Sequence, residues 1–264
     1  MKFQKEKKLL ASLFCLIIIL CIILSSKVYS QEKNTSFFNK TEIEDLLKLN
    51  HHLPYHEKYY RYSFSLIGKP YVGNVLIGSK DIEETFIIDL NRLDCFTYVE
   101  YVHSLANSKN FRIFKTKVRE YRYDMGRINF INRNHFFTDW TDNGDIELVE
   151  GYNKEVTKIL NKKGEHDRYL EGIPLKKKII KYFSIDKGSE VVLGLKDKQN
   201  HYIVAILSNK IGLDVSHVGF LLWDNEGNAI FRHASSKKKY MKVIDEDFFE
   251  YIKNKPGIII YKTN

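Results

Sequence analysis

From residue 93 to residue 106 most positions are apolar: Leu93, Cys95, Phe96, Tyr98, Val99, Tyr101, Val102, Leu105 and Ala106. At helical spacing Cys95, Val99, Val102 and Ala106 share one face, and Tyr98, Tyr101 and Leu105 cover another. A helix apolar around most of its girth is a buried helix. Asp94 is a good N-cap, which makes Cys95 the first helical residue. Upstream, the capping-box pattern Thr41-Glu42-Ile43-Glu44 predicts a helix through about Asn50. Pro54 interrupts, and an aromatic-rich helix follows over residues 57–66. A turn at Gly68-Lys69-Pro70-Tyr71 and a short strand near residues 85–90 precede the apolar helix.

Downstream, residues 111–123 carry an amphipathic helical pattern with Phe111, Phe114, Val118 and Tyr121 on one side. Residues 124–147 read as a loop dense in Arg127, Arg133, Asn134, His135, Asp139, Trp140 and Asn143. Such a loop suits recognition as well as it suits a solvated connection. Residues 150–175 are mixed, and a helix is expected over residues 175–183. From Glu190 the period becomes that of strands, at residues 190–195, 202–207, 216–223, 229–233 and 257–261, with a short helix at 245–253. Helices first and an antiparallel sheet afterwards predict an α+β fold.

The strands 216–223 and 229–233 flank Asp224-Asn225-Glu226-Gly227, which has hairpin turn chemistry. A turn centred on Asn225 sets His217 opposite His233 on one face, where directly opposed Cβ atoms are about 5 Å apart. A bulge would break that pairing.

Cysteine usage changes the picture. Cys15 and Cys21 lie in the N-terminal apolar run, so the rest of the chain keeps Cys95 alone. A lone cysteine is ordinarily a small buried hydrophobe. The first turn of a buried helix is different, because unpaired N–H groups and the helix dipole there favour a thiolate. Cys95 is thus a candidate nucleophile, His217 its base or imidazolium partner, and His233 the residue that fixes the His217 ring. The same three residues could bind zinc, but no acidic partners for the imidazoles are evident in the sequence. His51, His52 and His56 lack helical alignment across Pro54 and matching ligands nearby, so no metal and no cofactor is expected.

Lys2, Lys5, Lys7 and Lys8 precede an apolar run at residues 9–24, and Ser25 to Ser30 make a polar exit. This is the pattern of a signal peptide spanning residues 1–30, cut before Gln31, and the run falls short of the roughly 20 residues that span a bilayer. Export to the periplasm or the exterior is expected, with no stable membrane insertion after cleavage and residues 31–264 as a single catalytic domain. Residues 1–30 carry five lysines and one glutamate, so the net charge falls from +9 to +5 without them. That balance suits anionic surfaces such as cell-wall polymers. No basic cluster interleaved with stacking aromatics marks a nucleic-acid partner.

Taken together, Gly68-Lys69-Pro70-Tyr71, Leu93-Asp94-Cys95, Ser216-His217-Val218-Gly219 and Phe231-Arg232-His233-Ala234-Ser235 resemble the NlpC-type cell-wall hydrolases. Asp94 to Glu100, Arg133-Asn134-His135-Phe136 through Trp140, Gly212 to Gly219 and Arg232 to Ser236 are similar to the N-acetylmuramoyl-L-alanine amidase-like branch. The resemblance implies a papain-like fold in which the catalytic helix packs on an antiparallel sheet. It also implies hydrolysis of an amide in peptidoglycan or muropeptides, foremost the bond from the muramoyl lactyl group to L-alanine, some members favouring anhydro-muropeptides. Carried onto this chain, Cys95, His217 and His233 are the catalytic set, Tyr71 positions the thiol or the substrate, and Arg133 and His135 contact substrate. The alternatives are cleavage within the stem peptide at a γ-D-glutamyl–diamino acid bond, a wall-binding module without turnover, or an acyltransferase or protease on the same fold. Gly188-Ser189-Glu190 and the long segment at residues 196–201 stand where the resemblance implies a tighter Gly-Asp turn into the strand.

Overall fold

The computed structural model describes residues 14, 16–18, 35–37, 39–196 and 201–263, and the chain divides into a unit of residues 1–36 and a unit of residues 37–264. In the first unit, residues 14 and 16–18 are helical. The rest of the expected signal peptide, its cut before Gln31 and residues 197–200 of the departing segment lie outside the described residues. No helix among the described residues is long and apolar enough to cross a membrane.

After β1 (Thr35–Phe37), two helices open the larger unit, α1 (Lys40–Asn50) and α2 (Tyr55–Ser65). The expected capping box at Thr41 does not form. The N-cap is Asn39, in a left-handed conformation without a side-chain cap bond. Then come β2 (Phe86–Ile88), α3 (Cys95–Ala106) and α4 (Phe111–Arg122). The expected loop at 124–147 contains α5 (Phe137–Asn143) and β3 (Ile146–Leu148). Trp140 on α5 is fully buried and stacks on Phe137 with ring centroids 5.5 Å apart, so tertiary packing makes a short helix where polar composition read as loop.

Two further expectations are reversed. Residues 175–183 form a strand, β5 (Lys176–Tyr182), paired antiparallel with β4 (Lys154–Leu160). The exposed Lys177, Ile179 and Lys181 alternate with the less exposed Lys178, Ile180 and Tyr182, a two-residue period too weak beside four lysines to outvote their helix propensity. The expected strand at 190–195 is instead the end of α6 (Ile185–Leu193). Gly188 lies inside that helix, where a Cβ would come within 2.7 Å of the Ile258 side chain, so the glycine marks close packing on the neighbouring strand.

The remaining strands are β6 (Tyr202–Leu207), β7 (Val215–Trp223), β8 (Ala229–Ser235), β9 (Lys242–Asp247) and β10 (Ile258–Thr263), with α7 (Phe248–Ile252) between the last two. They form a six-stranded sheet in the order β3-β10-β6-β7-β8-β9, every neighbour antiparallel. The fold is therefore mixed α and β, with α3 packed on β7 and β8. Both faces of the sheet are covered. Ile203, Ala205, Val218, Phe220 and Leu222 join Tyr98, Val99, Val102 and Leu105 of α3 in the larger core. Tyr202, Val204, Ile206, Leu221 and Phe231 join Val192, Phe248 and Ile252 in the smaller one. The period-two alternation of β6 thus feeds two cores, which is why all six of its residues are buried.

Burial traps neutral histidine in this core. His103 of α3 is fully buried, its Nδ1 bonded to Tyr59 and its Nε2 without a partner, and desolvation pulls its pKa down to about 3. The unfolded chain protonates this group near pH 6.5 and the folded one does not, so between pH 6.5 and about 3 the unfolded state binds more protons and stability falls as pH falls. His103 alone contributes a loss of about 1.4 kcal/mol per pH unit below 6.5. Because other buried histidines act in the same direction, urea denaturation at pH 7.0, 6.0 and 5.0 of the protein and of His103→Gln measures it as the difference between the two, and an equal pH dependence of both would refute it.

Candidate active site

The start of α3 is tightly specified. Asp94 accepts the Thr97 N–H at 2.7 Å, and the Thr97 hydroxyl accepts the Asp94 N–H at 3.0 Å, a reciprocal capping box. Cys95 is consequently the first residue of the helix, half-buried. Its sulfur lies within reach of the backbone N–H of Val218 on β7 and of the N–H groups of Cys95 and Phe96. The sulfur is thereby brought to the residue next to His217. Those N–H groups do not make a standing thiolate. Burial, and then the Asp94 carboxylate, push the Cys95 thiol up to about 12. The sequence argument weighed the helix start and left out the dry surroundings, which dominate.

His217 and His233 come together, but not as directly opposed residues. The hairpin turn centres one position later than expected, with Trp223 paired to Ala229 and Phe220 to Arg232. The Asp224 N–H donates to the Asn228 carbonyl at 3.0 Å, and Gly227 takes a left-handed φ of 81°. The two histidines are diagonal neighbours on one face, a shift of two that preserves the face. Gly219 makes this possible, since a Cβ there would stand 2.7 Å from the His233 Cβ. His217 Nε2 and His233 Nδ1 are 2.7 Å apart, and the rings meet edge to face at 4.7 Å. Burial, then the neighbouring His233, then Lys255 hold His217 down to about 3. Burial, then Lys237 and Lys255 do the same for His233, also to about 3. The resting site therefore pairs a neutral thiol with neutral imidazoles.

Four residues that sequence reasoning missed complete the surroundings. Glu246 of β9 bonds His233 Nε2 at 3.0 Å and accepts the Lys237 ammonium at 2.7 and 2.8 Å. Tyr251 of α7 packs its ring 6.0 Å from His217 and 5.0 Å from His233, with the ammonium groups of Lys237 and Lys255 within 4.7 and 4.9 Å of its centroid. Glu246 was legible only through strand alternation at residues 242–247, and the expected helix at 245–253 absorbed it. Among the described residues no three His, Cys, Asp or Glu side chains are grouped to hold a metal ion.

Tyr71 is half-buried beside this centre. Its N–H donates to Met241, and the Val72 N–H donates to Leu93, two residues before Cys95. Burial, then the proximity of Cys95 and Asp94, raises its phenol to about 12, so it stays a donor. Arg133 and His135 sit farther out, in a cavity of about 400 Å³ whose lining includes Asp94, Phe96, Asn74 and Phe130. Arg133 is engaged: its Nη2 pairs with the buried Glu84 and donates to the Gly78 carbonyl at 3.3 Å, with the guanidinium over Phe130. His135 Nε2 is 2.7 Å from the Phe130 carbonyl, and burial lowers its pKa to about 4. The cavity that flanks the cysteine thus mixes apolar walls, Phe96 and Phe130 among them, with polar groups already oriented by the protein.

The fold and sequence have relatives. A protein from Bacteroides uniformis, named as an N-acetylmuramoyl-L-alanine amidase, superposes with a TM-score of 0.65 at 22% identity, over 80% of this chain and 99% of that one. A Legionella pneumophila protein does so with a TM-score of 0.65 at 21% identity, over 85% of this chain and 95% of that one. At such identities the likeness establishes a shared fold. No curated protein sequence matches the chain. The AmiA-like family profile, described as N-acetylmuramoyl-L-alanine amidase-like, matches residues 61–258, a span that runs from α2 to the last strand and includes Cys95, His217, His233 and Glu246. On that match, the chain belongs to the N-acetylmuramoyl-L-alanine amidase-like family.

Proposed function

We propose that this protein is an exported cysteine amidase that hydrolyses the amide between the muramoyl lactyl group and L-alanine in peptidoglycan or muropeptides. We read its fold as the NlpC-type papain-like arrangement, residues 1–30 as a removed signal peptide, and the rest as the catalytic domain, acting in the periplasm or outside the cell. The observation that carries the reading is the 2.7 Å contact between His217 and His233 on the strands beside the helix that Cys95 opens, in a chain of an amidase-like family.

In this mechanism His217 takes the Cys95 proton as the sulfur attacks the lactyl carbonyl. A buried thiol near 12 needs that base, and a neutral imidazole can accept the proton. The oxyanion is met by backbone N–H groups at the helix start, the Cys95 N–H among them. His217 returns the proton to the nitrogen of L-alanine, the peptide leaves, and water hydrolyses the thioester. His233 orients His217, and the Tyr71 phenol stands beside the sulfur as a donor. The cavity lined by Phe96, Phe130, Arg133 and His135 receives the substrate next to the reacting sulfur.

Mass spectrometry of defined muropeptides, with and without the anhydro sugar, tests this. The expected products are an intact stem peptide beginning with L-alanine and the free muramoyl sugar. Release of fragments cut at the γ-D-glutamyl–diamino acid bond would replace the amidase reading with an endopeptidase one. No cleavage of any muropeptide would leave a binding module or a non-wall substrate.

A further inference from the structure

We infer that Glu246, held by Lys237, is a positioning residue that sets the tautomers of both histidines and so leaves His217 Nδ1 as the proton acceptor. From the surface inward, the donors and acceptors along Lys237, Glu246, His233 and His217 allow one assignment of hydrogens. Lys237 Nζ reaches both Glu246 oxygens, at 2.7 Å to Oε1 and 2.8 Å to Oε2. A carboxylate bound in this way can only accept, so His233 Nε2, 3.0 Å from Oε2, carries the hydrogen. His233 Nδ1 is then the lone-pair nitrogen, and across the 2.7 Å contact His217 Nε2 must donate to it. A neutral imidazole has one N–H, so His217 Nδ1 is bare.

The fold protects this relay. Arg232 grips Asp245 through two bonds, Nε to Oδ1 at 2.7 Å and Nη2 to Oδ2 at 2.8 Å, and its guanidinium lies on Tyr60 of α2. That clamp holds β9 in register with β8, with Phe231 opposite Glu246 and His233 opposite Ile244. Glu246 therefore reaches His233 diagonally, the geometry by which His217 reaches His233 on the other side. The groups facing the relay from outside β8 and β9 are Tyr251 of α7, Lys237 and Lys255, and among the described residues the hydrogen-bond partner of His233 Nε2 is Glu246.

Glu246→Gln makes the inference testable. Glutamine keeps the shape but has one acceptor oxygen. Lys237, which can only donate, claims it, and the amide NH₂ is left facing His233 Nε2. His233 then flips to the Nδ1–H tautomer and donates to His217 Nε2, which puts the hydrogen on His217 Nδ1 and blocks proton transfer from the thiol. Adding Lys237→Ala frees the amide to turn its oxygen to His233 and restores the original tautomers.

The inference rests on the Cys95–His217 reading above, so its test includes a readout that needs no substrate. ¹⁵N chemical shifts of the two imidazoles at pH 7.5 report the tautomers directly. The full-length protein should show Nε2–H on both rings, Glu246→Gln should show Nδ1–H on both, and the double variant should return to Nε2–H. Turnover of a cleavable muropeptide should drop at least about 10²-fold in Glu246→Gln, by analogy with wrong-tautomer variants of other triads. It should recover at least tenfold in the double variant. Unchanged tautomers in Glu246→Gln, or a double variant no more active than the single one, would overturn the inference. If the unsubstituted protein cleaves no muropeptide, the amidase reading fails and the ¹⁵N shifts alone decide the role of Glu246.

Discussion

On the proposed mechanism Cys95→Ala is expected to abolish turnover of every muropeptide, with a fall in kcat on the order of 10⁶-fold, because removing the nucleophile of a catalytic unit forfeits the contribution of the whole unit. The fold should hardly register the change. Cys95 is half-buried, its thiol is neutral, and the cap of α3 is made by Asp94 and Thr97, not by the sulfur. The loss of stability should stay within about 1 kcal/mol, because the change removes a single sulfur atom at the edge of the larger core. Muropeptide assays and thermal melts on the same samples check both halves. Turnover within tenfold of the unsubstituted protein would remove Cys95 from the chemistry, and a collapsed melt would make the activity loss uninformative. In that second case Cys95→Ser, which keeps nearly the same volume, would carry the test.

What the sequence made legible follows how local each signal was. The α3 start needed only Asp94, Thr97 and the apolar run behind them, all within a few residues, and the structure places the helix at Cys95–Ala106 as expected. The strands holding His217 and His233 were legible from alternation and turn chemistry, and their shared face survived a two-residue change in register. The register itself was not legible, because the left-handed Gly227 moves the turn centre to Glu226. Short-range propensity failed where distant contacts decide. Gly188 reads as a turn but packs against Ile258, and the lysines of β5 read as a helix but pair with β4. The site followed the same rule. Glu246 and Tyr251 approach the histidines only through strand order and through α7, information spread over the last third of the chain. The electrostatic sign at Cys95 was misread for the same reason: the dipole of a helix is written in its sequence, and the dryness around its first residue is not.

That dryness separates the two histidines. If His217 is the base as proposed, His217→Ala removes it from a thiol held near 12, so at pH 7 the thiolate fraction is only about 10⁻⁵ and turnover should fall on the order of 10⁵-fold or more. The residual activity carries a signature. Burial and Asp94 keep the thiol high, and neither depends on His217, so the thiolate population climbs about tenfold per pH unit below 12 and the variant's rate should climb with it. His233→Ala leaves the base in place and takes away only the group that orients it. Its loss should be on the order of 10² smaller than that of His217→Ala, following the weaker dependence of such triads on their orienting member. Its rate should also lack the steep alkaline rise, because His217 still accepts the proton. Rates of both variants on one muropeptide from pH 6 to pH 9.5 measure the difference. If His233→Ala proved the more damaging of the two, or if His217→Ala stayed flat with pH, the order base then orienting residue would have to be reversed along the 2.7 Å contact that joins them.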